Sequence, residues 1–131
     1  MRRRGDKWSM ALVAVLATGP LPGPAAEAAP FHITLDHSQP ADTATVTGPV
    51  SEVRLFFSGA PLMRGASIRV VTSGRSLQRS TPPAADSEDP RQLFVQMTPP
   101  LPAGAYVVQW RCIADDGHVM RGDFTFTVTG E

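Results

Sequence analysis

From residue 32 onward, apolar and polar residues alternate in short runs with a period of two. Ile33 and Leu35 alternate with His32, Thr34 and Asp36. Val53, Leu55 and Phe57 are separated by Arg54 and Phe56, and Ile68 and Val70 flank Arg69. Leu93, Val95 and Met97 form a further run, as do Tyr106, Val108, Trp110 and Cys112, and Phe124, Phe126 and Val128. Successive side chains of a strand face opposite ways, so each run predicts a half-buried strand. With a short piece at Thr45-Val46-Thr47, about seven strands are expected. Turn formers separate them: Gln39-Pro40, Gly48-Pro49, Gly59-Ala60-Pro61, Pro102-Ala103-Gly104 and Asp116-Gly117. No helical period persists. The pattern predicts an all-β domain, a seven-stranded Greek-key β-sandwich or barrel of immunoglobulin-like kind. Ser73 to Arg91, polar and proline-bearing, is expected to be a long mobile loop within it.

The first residues obey a different logic. Arg2, Arg3, Arg4 and Lys7 precede the apolar run Met10 to Ala17, then Gly19, Pro20 and Pro22, then the small-residue stretch Ala25-Ala26-Glu27-Ala28-Ala29. That order predicts a secretory signal peptide over 1–28, its apolar run too short to span a bilayer. Residues 29–131 then form one domain, exported to the periplasm. Removing the leader changes the charge from zero to about −2, with eight arginines, no lysine and ten carboxylates remaining. No basic run survives, which argues against nucleic acid as a partner. No later apolar stretch is long enough to cross a membrane, so the mature domain is expected not to span one. The lone cysteine, Cys112, lies inside a strand run and is expected to be buried and inert.

Chemistry is sparse. The histidines are His32, His37 and His118, with no His/Cys cluster at zinc spacing, no phosphate loop and no nucleophile elbow. Nothing local supports a hydrolase triad, and no enzymatic activity is expected. The informative stretch is Trp110 to His118, in which a strand ends at a tight Asp116-Gly117 turn followed by a histidine. On the residues alone, an ordinary hairpin is the stronger reading. The other is that the carboxylate and imidazole, two residues apart, converge on a metal such as Cu(II) or Zn(II), with further ligands from elsewhere.

The chain resembles the CopC family of periplasmic copper-binding, copper-resistance proteins. The resemblance rests on His32…Ser38-Gln39-Pro40, on Val53-Arg54-Leu55-Phe56-Phe57-Ser58, and on Leu101 to Trp110 with its Gly-x-Tyr-x-Val-x-Trp. It is completed by Asp116-Gly117-His118 and Gly122-Asp123-Phe124-Thr125-Phe126. It implies a seven-stranded Greek-key fold and one Cu(II) ion per chain held by His32, Asp116 and His118. It also implies a monomer that passes copper to an inner-membrane partner of the CopD type.

On a regular strand His37 would face away from His32, and Asp36 would lie ~13 Å further along, so neither is expected to join the ligands. Two features depart from the family. The stretch 73–91 has no methionine, so no thioether Cu(I) site is expected. Cleavage after Ala28 leaves Ala29-Pro30-Phe31 ahead of His32, without the terminal amine that usually accompanies the family's first histidine. An interaction module with weakened metal binding is the alternative. A copper oxidase acting on polysaccharides would need a flat aromatic face that the strand pattern does not supply.

Overall fold

The structure, a computed structural model, describes Gly19 and residues 33–130; the leader apart from Gly19, and His32, lie outside the described residues. Among the described residues all regular structure is β. The strands are β1 (Leu35–Gln39), β2 (Ala44–Thr47), β3 (Val50–Phe57), β4 (Leu62–Thr72), β5 (Ala84–Ala85), β6 (Gln92–Leu101), β7 (Gly104–Ile113) and β8 (Val119–Thr129). Each expected stretch is represented, and β5 is an eighth strand of two residues. They form two four-stranded sheets, in the orders β1-β3-β6-β5 and β2-β8-β7-β4. Neighbours pair antiparallel except β2 and β8, which run parallel. Among the described residues no helix is long and apolar enough to cross a membrane.

The core lies between the sheets and is built from the alternating positions. Val53, Leu55, Leu93, Val95, Val108, Phe126 and Val128 are each no more than 2 % exposed. Met97 and Cys112 are core residues, as their positions in the alternation predict. Tyr106 is buried beside Phe126, with ring centroids 5.5 Å apart. Its hydroxyl donates to the carbonyl of Pro102 at 2.7 Å, which satisfies the one polar atom that burial would strand.

Two expectations are corrected. The stretch from Ser73 to Arg91 is not a loose loop but a strap along the open edges of both sheets. Gln78 N donates to Val70 O on β4, Thr81 N to Gln96 O on β6, and Thr98 N on β6 to Arg79 O. Ala84 pairs with Phe94. The strap is also pinned from the outer face, where Arg54 on β3 donates to Glu52 at 2.7 Å and to Asp86 at 2.9 Å and lies over the Phe94 ring. The Arg54 hydrogen bond holds the Glu52 carboxyl below its usual range. Polarity along the stretch pointed to exposure; it carried no information about main-chain partners.

The second correction concerns β1, which is not regular. Leu35 pairs with Phe57 and His37 with Phe56, so Asp36 is an extra residue in the ladder. Such a bulge reverses the facing of everything beyond it. Ile33 and Ser38 are both buried, while Asp36 and His37 are both exposed. The expectation that His37 faces away from His32 assumed an unbroken alternation, and that premise does not hold. His37 instead stacks on the Phe56 ring, with centroids 4.1 Å apart and planes 10° from parallel.

Candidate metal centre

β7 and β8 are the longest continuously paired strands, in register from Gly104↔Val128 to Ile113↔Val119. Ten paired positions make this hairpin a rigid arm, and Ala114 to His118 close its end. Ala114 N donates to His118 O, and Gly117 N donates to Ala114 O, both at 2.9 Å. Gly117 takes φ +91°, a conformation that side-chain-bearing residues rarely adopt, so glycine there is a requirement of the turn.

Asp116 organises the rest of the turn. Its Oδ1 accepts from His118 N at 2.9 Å, an Asx turn that fixes the carboxylate relative to the backbone. Its Oδ2 lies 2.7 Å from His118 Nδ1. The imidazole is thus held at both its backbone and its ring by one carboxylate, and 69 % of the His118 side chain is open to solvent. Contact through Nδ1 makes Nε2 the ring nitrogen turned to other partners, the usual arrangement for a metal-binding imidazole.

The hairpin is backed by close packing. Trp110 on β7 faces inward opposite Gly122 on β8 and meets Phe57 edge-on, with centroids 5.5 Å apart. A Cβ at position 122 would stand 2.8 Å from the indole ring, so only glycine leaves room for Trp110. Cys112 sits beside this cluster, 1 % exposed, and burial pushes its thiol up to about 11. Since the thiolate is the nucleophile, the native protein is expected to resist an aromatic disulfide reagent at pH 8. One thiol per chain should react on unfolding; rapid reaction of the native protein would contradict the burial.

Among the three residues predicted as ligands, Asp116 and His118 are brought into contact, and His32 lies outside the described residues. Among the described residues no group of three His, Cys, Asp or Glu side chains gathers to hold a metal. Asp115 is exposed on the same turn, and His37 is committed to its stack on Phe56. The one donor arrangement that sequence reasoning left unseen is the double grip of Asp116 on His118. Asp-Gly-His spacing hinted at it without giving its geometry.

Comparison with known proteins decides the family. The CopC domain model matches residues 35–129. This chain belongs to the CopC family. The Protein YobA of Escherichia coli K12 is 35 % identical to this CopC-family chain over 98 residues, covering 74 % of this chain and 78 % of that protein. The Copper resistance protein C of Escherichia coli is 30 % identical over 119 residues, covering 86 % and 94 %. Among solved structures, CopC from Methylosinus trichosporium OB3b superposes with a TM-score of 0.70 at 29 % identity, over 76 % of this chain and 96 % of that one. PcoC, a methionine-rich copper resistance protein from Escherichia coli, gives 0.66 at 27 %, over 75 % and 99 %. The matched CopC region contains the whole Asp116–His118 turn and begins three residues after His32.

Proposed function

We propose that this CopC-family chain is a periplasmic copper-resistance protein that takes up one Cu(II) ion at the tip of the β7–β8 hairpin. It then buffers the ion or passes it to an inner-membrane acceptor of the CopD type. The observation that carries the reading is the 2.7 Å contact between Asp116 Oδ2 and His118 Nδ1, on a turn whose imidazole is largely solvent-exposed. Imidazole nitrogen and carboxylate oxygen suit Cu(II) in a tetragonal site. His118 supplies a ring nitrogen and Asp116 a carboxylate oxygen, and the contact between them sets these two donors side by side. His32, reached by export and trimming of the leader, supplies the third ligand. Copper is cargo here: the residues bind, orient and release it, and no bond is made or broken in a substrate.

The family relationship supports this through relatives that carry the name copper resistance protein. A chain cut after Ala28 lacks a terminal amine on His32, which favours a weaker site than one with amine and imidazole together. Paramagnetic resonance of the exported, trimmed chain with one equivalent of Cu(II) tests the proposal. A single tetragonal signal with nitrogen couplings is expected; a spectrum identical to copper in buffer would overturn it and favour a pure interaction module.

A further inference from the structure

The outer face of the β2-β8-β7-β4 sheet carries a second feature, unrelated to the hairpin tip. Register places Ser67, Arg111 and Arg121 side by side across β4, β7 and β8, and Arg69, Gln109 and Asp123 in the row two residues further along. These six residues, with Trp110 and Gly122, line a shallow groove of about 440 Å³. Three arginines therefore line one concavity, in a domain whose remaining charge is negative. Asp123 at one side leaves the groove with a surplus of two positive charges.

None of these three arginines makes an ion pair with a described residue, whereas Arg54 on β3 and Arg91, just before β6, both do. Arg111 and Arg121 stand directly opposite each other on antiparallel strands, where like charges repel. Arg111 is nevertheless held in place: its Nη1 donates to Gly65 O at 3.3 Å, from a backbone kink in β4 where Gly65 takes φ +82°. That bond uses one of the five donors of a guanidinium, whose planar fork suits an oxyanion.

We infer that the groove formed by Arg69, Arg111 and Arg121 is a binding site for phosphate-class oxyanions. Anion binding relieves the Arg111–Arg121 repulsion, and the forked donors of two or three guanidiniums match the oxygens of one phosphate. The same chemistry is offered by free phosphate and by a phospholipid headgroup, and the experiment separates the two.

The test is a nuclear magnetic resonance titration of the mature protein with inorganic phosphate at constant ionic strength, set by chloride. In parallel, cosedimentation is measured with phosphatidylglycerol–phosphatidylcholine vesicles and with pure phosphatidylcholine vesicles. Saturable shifts at the Arg69, Arg111 and Arg121 Nε–H groups and at the Gly122 amide are expected, with at least a tenfold loss of affinity in Arg111→Gln/Arg121→Gln. Phosphate saturation without vesicle binding assigns the site to a free anion. Vesicle binding that needs phosphatidylglycerol and is lost in the double variant assigns it to a headgroup. No saturation in either arm, or binding indifferent to the double variant, overturns the proposal. So does binding confined to a polyglutamate peptide, which would reassign the face to an acidic protein. Unchanged thermal melting of the double variant verifies the fold.

Discussion

Replacing His118 with alanine is expected to lower Cu(II) affinity by more than any other single change in the described residues. Loss of a partner that merely orients a ligand costs about 10–100-fold in metal affinity, so loss of a ligand, the role proposed for His118, should reach ~100-fold or beyond. The hairpin should survive, because the turn is closed by main-chain bonds at Ala114, Gly117 and His118 that need no imidazole. Asp116 separates two roles. Asp116→Asn keeps an oxygen to accept from His118 N, so the turn persists, but it removes the negative charge beside the ring and the metal. Asp116→Ala removes both. The expected order of affinity is wild type, then Asp116→Asn, then Asp116→Ala, with His118→Ala at the bottom, measured by competition against a chelator of known strength. Equal affinity of His118→Ala and wild type would remove the hairpin from the copper site altogether.

The largest effect on stability is expected from Phe126→Ala. Phe126 is 2 % exposed, lies on the central strand β8, and packs against Tyr106. Truncating a buried phenylalanine costs about 3–5 kcal/mol through lost burial and the cavity left behind. For a domain near a hundred residues, that lowers the unfolding midpoint by ~12 °C or more. Phe126 is eight residues from His118 along a strand that rises ~3.4 Å per residue, so the proposed copper site is remote from the cavity. Copper affinity of the folded fraction should therefore be unchanged. A melting shift below ~4 °C, the low end for 1 kcal/mol, would mean that the sheets re-close over the gap.

How much of this was legible in the sequence depends on how local the physics is. Alternation is a property of neighbours, so the core positions from Val53 to Val128, including Met97 and Cys112, could be read directly. The Asp116-Gly117 turn was legible because its glycine requirement lies within the turn. The bulge at Asp36 was not, since one extra residue is visible only against the partner strand, and with it went the argument about which way His37 faces. The parallel pairing of β2 with β8 joins residues some eighty positions apart, and alternation carries no trace of it. β5 is two alanines long, too short for any periodicity. The Asp116 grip on His118 depends on side-chain rotation, and residue spacing constrains that only loosely.

The strap from Ser73 to Arg91 has a consequence for how such a protein can change over time. Between Ser76 and Ala85 its attachment to β4 and β6 is made chiefly by amides and carbonyls, and every residue except proline offers the same ones. Apart from Thr81, whose hydroxyl accepts from Gln96 N, and Ala85, which packs on the core, few side chains there are needed by either sheet. Sulfur donors can be written into that stretch, or erased from it, while the sandwich beneath stays as it is. The strap is thus a place where side chains can drift without the fold being renegotiated, and the hairpin at Asp116, where one carboxylate holds both the backbone and the ring of His118, is not.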